Sequence, residues 1–113
     1  MKRFEYRIYD NVYNDIVTNK KTIEFRLLNE KSKSINIGDE ILFKVVDSDN
    51  TILVIVLDKY IFNNIDELWD SDKIVNNVLD YNKEEFTNVL SNIYGEKLFN
   101  SKIVGIKFKL KDN

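Results

Sequence analysis

Thr51 to Leu57 reads Thr-Ile-Leu-Val-Ile-Val-Leu, a β-branched run that is apolar on both of its faces. A strand turns successive side chains to opposite sides, so such a run needs cover on both sides. It belongs inside a closed or sandwiched sheet. Ile52 to Leu57 is also the longest apolar run in the chain. A membrane helix needs ~20 such residues, so no membrane partner is expected. The segment is the second arm of a hairpin, with Ile41 to Val46 as the first arm and Asp47-Ser48-Asp49-Asn50 as the loop.

The remaining elements follow from periodicity. Phe4 to Tyr9 alternates by twos and predicts a strand. Asp10 or Asn11 then suits a helix N-cap, with Val12, Tyr13, Ile16 and Val17 on one face of a short helix to Thr18. Asn19 stands where a helix C-terminus takes positive φ. A strand follows over Thr22 to Leu28. Asn29 to Ser34 is polar and reads as an exposed loop, and Ile37-Gly38-Asp39 as a turn. The hairpin's second arm extends toward Phe62. Asn64 or Asp66 caps a helix carrying Leu68 and Trp69, and Asp72 to Asp80 has Ile74, Val75, Val78 and Leu79 at helical spacing. Asn82 with Glu85 forms a capping box for a helix ending at Tyr94-Gly95. Ile103 to Leu110 closes the chain as a strand with Lys107, Lys109 and Lys111 outward. The fold class expected is α+β: a small mixed β-barrel of about five strands with three to four short flanking helices. Its core holds Ile41, Phe43, Val54, Val56, Ile106 and Phe108. The 113 residues make a single domain over 1–113.

Composition removes several chemistries. The chain has no histidine and no cysteine, so it has no imidazole-based triad, no thiolate nucleophile and no disulfide. Three glycines make no phosphate-cradling loop. Asp47, Asp49 and Asn50 alternate like calcium ligands, but the loop lacks the Gly and Glu that a calcium-binding loop needs. No metal and no cofactor is expected. Met1-Lys2-Arg3 leads into an alternating segment rather than an apolar one, so the expected location is cytoplasmic. The net charge of −2 argues against bulk electrostatic capture of nucleic acid. Residues 1 to 33, however, hold eight Lys and Arg against five Asp and Glu.

That excess surrounds Lys21-Thr22-Ile23-Glu24-Phe25-Arg26. Glu24 and Arg26 are two apart on a predicted strand and share a face, while Ile23 and Phe25 point the other way. Lys21 enters one step earlier with a stem long enough to reach the same place. Two cations around an anion can bind a polar ligand. They also make an ordinary cross-strand ion pair on a solvated face, worth ~0.2–1 kcal/mol.

Lys21-Thr22-Ile23-Glu24-Phe25-Arg26 followed by Ile37-Gly38-Asp39-Glu40-Ile41-Leu42-Phe43 is similar to the signature of the ASCH domain family, in the PUA-like superfamily of small β-barrels. That signature has a Gly, a Lys two positions later, a Glu three after that and an Arg two further on, with a Gly-Asp step opening the next strand. Asn19 stands here in place of the Gly. The resemblance covers essentially the whole chain and implies the barrel fold and a cleft at the motif for RNA or a nucleoside or nucleotide. Lys21, Glu24 and Arg26 would bind the ligand there, joined by Lys20, Lys31 and Tyr94.

Lys21 and Arg26 would meet phosphate or a base carbonyl; Glu24 would accept from a base amino group or lock Arg26. One branch of the family hydrolyses acetylated cytidine with a Lys, a Thr and a Glu, and another is reported to cut RNA. In an enzyme of that kind Lys21 and Glu24 would be the catalytic pair. Glu24, however, stands where the hydrolase branch has its Thr. Three functions therefore stand open: RNA or nucleotide binding, hydrolysis of a modified nucleoside such as N4-acetylcytidine or cleavage of RNA, and a protein interaction module. A monomer is assumed. Trp69 with Tyr60 and Phe62 reads either as a base-stacking cluster or as core.

Overall fold

The computed structural model describes residues 1–72 and 81–111. In chain order the elements are β1 (Arg3–Ile8), α1 (Asp10–Val17), β2 (Ile23–Leu27), α2 (Glu30–Lys33), β3 (Glu40–Val45), β4 (Thr51–Phe62), α3 (Ile65–Trp69), α4 (Lys83–Tyr94), α5 (Lys97–Asn100) and β5 (Ile103–Leu110). The helical spacing at Ile74, Val75, Val78 and Leu79 lies outside the described residues.

The strands form one mixed sheet in the order β1-β3-β4-β5-β2. β1 and β3 are parallel, and every other pair is antiparallel. The sheet curls into a half-barrel, so the α+β class and the PUA-like architecture hold. β1 and β2 are its two edges, and the seam between them is where the site lies.

The sheet has a core on each face. The inner one holds Ile41, Phe43, Val54, Val56, Ile106 and Phe108, all at most 3% exposed. Phe43 and Phe108 meet edge to face with centroids 5.5 Å apart. The outer core packs Ile23, Phe25, Leu27, Phe62 and Ile103 under Phe86 and Leu90 of α4. β4 serves both. Its register slips between Val56 and Asp58, leaving Leu57 as an extra residue. One extra residue reverses which face each later side chain takes. Val54 and Val56 therefore point inward, while Phe62 joins the outer core. The expectation of full cover for both faces of Thr51–Leu57 is corrected. Leu53 and Ile55 are half-buried and Leu57 is exposed, because α4 covers the far end of the sheet rather than this one.

Three local expectations also change. Tyr9, not Asp10 or Asn11, is the residue before α1, and its side chain caps nothing. Asp10 sits in the first turn, where a carboxylate suits the helix dipole. Asn29 to Ser34 is not an open loop. Asn29 caps α2 by accepting from the Ser32 N–H at 2.9 Å, and the Ser32 hydroxyl accepts from the Asn29 N–H at 2.9 Å. Ser32 has no exposed surface and donates to the Leu27 carbonyl, which fastens α2 to β2. Lys111 is half-buried rather than simply outward. It and Arg3 both hold the Glu40 carboxylate, which is 2% exposed. Among the described residues no helix is long and apolar enough to cross a membrane.

Candidate functional site

The site starts from the end of α1. Asn19 takes φ 61°, the left-handed conformation expected of it. The Asp15 carbonyl then accepts from the N–H groups of both Lys20 and Lys21, at 2.9 and 3.0 Å. This tight reversal delivers Lys21 to the head of β2. The strand's alternation does the rest. Ile23, Phe25 and Leu27 enter the outer core, and Glu24 and Arg26 turn to the inner side of the half-barrel.

Lys21 and Glu24 are each 8% exposed, so this is not a solvated strand face. Lys21 Nζ lies 3.6 Å from Glu24 Oε1, and Arg26 Nη2 lies 3.3 Å from Glu24 Oε2. Glu24 Oε1 also accepts from the Phe25 N–H at 3.1 Å. Burial pushes the Glu24 carboxyl up, but Lys21 and Arg26 together outweigh it and hold it below the usual range. For Lys21 burial wins over the attraction of Glu24, and its amine is held below the usual lysine range. The Arg26 guanidinium is raised: burial opposes the shift, and Glu24 more than offsets it.

Arg26 does more than pair with Glu24. It donates to the Arg7 carbonyl on the other edge strand at 2.9 Å, and its guanidinium carbon sits 4.3 Å from the centre of the Tyr6 ring. Lys31, carried by α2, donates to the Glu5 carbonyl and lies 4.0 Å from the same ring. Residues 5 and 7 present their carbonyls to the seam, because those of Lys2 and Ile8 face β3. Two side chains from the motif side thus bridge the seam to an edge strand. Tyr94, at the end of α4, brings its hydroxyl toward Arg26 and the Leu27 N–H; burial raises its pKa.

Two cavities open at the seam. One of about 480 Å³ is walled by Phe25, Tyr81, Phe86, Leu90, Ile93 and Tyr94, with Lys21, Glu24 and Arg26 at its polar end. The other, about 550 Å³, is lined by Glu5, Tyr6, Arg7, Lys31 and Lys44, together with Arg26 and Tyr94. Of the residues singled out from sequence, Lys21, Glu24, Arg26 and Tyr94 come together at the first cavity. Lys31 lines the second. Lys20 is exposed and lines neither. Trp69, Tyr60 and Phe62 pack in or against the outer core, with Trp69 5.9 Å from Phe86, and line neither cavity. Sequence reasoning did not single out Tyr6, Arg7 or Lys44. The only signal they gave was membership of an alternating edge strand and its neighbour. Among the described residues no group of three His, Cys, Asp or Glu could hold a metal ion.

No family model and no curated protein matches the chain. Solved structures do. Hypothetical protein PH0355 superimposes with a TM-score of 0.83 at 25% identity, over 98% of this chain and 100% of that one. An ASCH protein from Zymomonas mobilis gives a TM-score of 0.64 at 13% identity, over 93% of this chain and 67% of that one. The ASCH domain from Lactobacillus crispatus JV V101 gives 0.61 at 15% identity, over 96% and 79%. At such identities the likeness to the two ASCH structures is one of fold. It runs over nearly the whole chain, β1 through β5, and on that ground the chain has the fold of the ASCH domain.

Proposed function

We propose that the protein binds a nucleoside, a nucleotide or RNA at the seam between β1 and β2. One observation carries this reading: an ion triad of buried Lys21 and Glu24 with half-buried Arg26, at the polar end of an aromatic-walled cavity of about 480 Å³. A cavity of that size fits a single small molecule. Its apolar walls suit the faces of a planar base. The triad offers both hydrogen-bond acceptors and donors to the base's edge, since Glu24 accepts and Lys21 and Arg26 donate. In a site away from water these bonds discriminate strongly between bases, because a mismatched base leaves a buried group unpaired.

Hydrolysis is a second reading, favoured by the lowered pKa of Lys21 beside a carboxylate on the cavity floor. No Ser or Thr lines either cavity among the described residues. A hydrolase here would use water as nucleophile, with Lys21 or Glu24 taking its proton.

A thermal-shift screen with nucleosides, nucleotides and short single-stranded RNAs tests the binding reading. A ligand at 100 times its dissociation constant adds ~2.7 kcal/mol of stability. A flat response across the panel overturns it. Release of acetate from acetylated cytidine, or of fragments from RNA, abolished by Lys21→Met, would establish the second reading.

A further inference from the structure

Arg7, Arg26 and Tyr94 line both cavities, so the two adjoin. Their chemistry differs. The first is aromatic and aliphatic around one ion triad. The second sets four cations, Arg7, Arg26, Lys31 and Lys44, against a single carboxylate, Glu5. That carboxylate is already engaged, with Lys44 Nζ 3.1 Å from its Oε2. Arg7 has no ion pair among the described residues. The Tyr6 ring lies under Arg26 and Lys31, and its hydroxyl is buried with no hydrogen-bond partner among the described residues. On a chain of net charge −2 this is a local concentration of positive charge with unmet polar capacity beside it.

We infer that the ligand is a single phosphorylated nucleoside, with its base in the aromatic cavity and its phosphate in the cationic cleft among Arg7, Lys31 and Lys44. This rests on the nucleotide-binding reading and narrows it. A phosphate monoester carries about −1.5 to −2 charge at pH 7 and three acceptor oxygens, which an arginine fork and two lysines can meet. A strand of RNA needs more. Sequence-tolerant grooves track ~4–16 nucleotides with a continuous basic wall. Here residues 34 to 113 hold nine Lys and Arg against fourteen Asp and Glu, so a basic wall does not extend far beyond the cleft.

The test is isothermal titration calorimetry on the intact chain. The panel is the four ribonucleosides, their 5′- and 3′-monophosphates, inorganic phosphate, and a short single-stranded RNA without a terminal phosphate. At least one monophosphate should bind about tenfold or more tightly than its nucleoside, the gain expected of one charge-assisted contact set. Inorganic phosphate should compete with it. Arg7→Gln and Lys44→Gln should each pull the ratio toward one. Both residues are exposed, so both variants should melt like the parent without ligand. Equal affinity for nucleoside and monophosphate, or a ratio that survives both substitutions, overturns the phosphate assignment and leaves base binding standing. Binding to the RNA with none to any monophosphate overturns it and leaves RNA binding standing. Silence across the panel removes both.

Discussion

Arg26 on β2 donates to the carbonyl of Arg7 on β1 at 2.9 Å, across the one seam that the sheet leaves open. The same guanidinium faces the Glu24 carboxylate at 3.3 Å. One residue therefore holds the half-barrel's edges together and completes the ion triad. An edge strand's spare carbonyls are otherwise a template for unwanted pairing. Here the proposed ligand site and the protection of that edge share their atoms.

Arg26→Ala should cost about 3 kcal/mol of stability, because it removes one partner of a buried ion pair and leaves Glu24 with less compensation. Arg26→Lys keeps the charge but loses the rigid guanidinium whose Nη2 donates to both the Arg7 carbonyl and Glu24, and which stacks on the Tyr6 ring. It should cost about 1–2 kcal/mol, the worth of a charge-assisted hydrogen bond. Urea denaturation measures both. Losses below about 0.5 kcal/mol for the Lys variant would mean the guanidinium does not clamp the seam.

Tyr6→Phe separates a structural hydroxyl from a ligand contact. The phenol is buried, and burial lifts its pKa to about 12, so it is neutral at any working pH. Its oxygen has no partner among the described residues. Removing it should leave stability unchanged or raise it by up to about 1 kcal/mol, since an unmet buried polar group is a net cost. Monophosphate binding should change by less than about twofold, since an oxygen with no accessible surface meets no ligand atom and the ring that carries Arg26 and Lys31 is kept. A stability loss above about 1 kcal/mol would show that the hydroxyl is satisfied within the protein.

The two-residue alternation of Ile23, Glu24, Phe25 and Arg26 was enough to assign the faces of β2, and the spacing back to Lys21 located the triad. Alternation cannot say which face meets water. Glu24 looked like a surface charge because nothing in the local sequence reveals that its side turns into the half-barrel. Tyr6, Arg7 and Lys44 were hidden for a related reason: they reach the site by the pairing of β1 with β3, which is a matter of topology. Lys111 and Glu40 are 71 residues apart, and no local pattern joins them. α2 was missed because its capping box uses Ser32 where Glu or Gln is the readable signal. The slip at Leu57 was equally silent in sequence, since an apolar run gives no mark where its register changes.

Acid should unfold the protein through three buried carboxylates. Glu40 is held low chiefly by the Lys111 ammonium and further by Arg3; Asp39 is held low by the backbone N–H groups of Lys2 and Asn36. For Glu24 burial works upward, and Lys21 and Arg26 outweigh it. Folded-state values below the unfolded ones mean the unfolded chain binds more protons, so stability falls with falling pH. The loss should begin near the ordinary glutamate value of 4.5 and continue as pH drops through the lowered values. Glu40→Gln should flatten this acid limb. Arg3 and Lys111 can turn to solvent in that variant, because their side chains are already 55% and 35% exposed. Denaturation midpoints measured from pH 7 to pH 3 check it. An acid limb as steep in the variant as in the parent would exclude Glu40 as a source.

Gly105 stands directly across from Phe25 in the β5–β2 ladder. A Cβ placed on it would meet Phe25 Cε1 at 3.2 Å and Ile23 Cγ2 at 3.4 Å. Strand propensity favours Ala over Gly, by up to about 1 kcal/mol. Crowding opposes it, and the outcome turns on whether Phe25 can yield. Phe25 is 4% exposed and sits edge-on to Phe86 at 6.0 Å, so its outward path is blocked by α4. Its remaining freedom is toward the aromatic cavity that it helps to wall. Gly105→Ala should therefore destabilise by about 1–2 kcal/mol, as overpacked cores do. It should also narrow the cavity and weaken ligand binding, although residue 105 lines neither cavity. Pairing it with Phe25→Leu tests the route. The smaller side chain should recover part of the stability lost to Gly105→Ala, a coupling that a double-mutant cycle reads directly. Strict additivity of the two changes would show that the strain goes elsewhere.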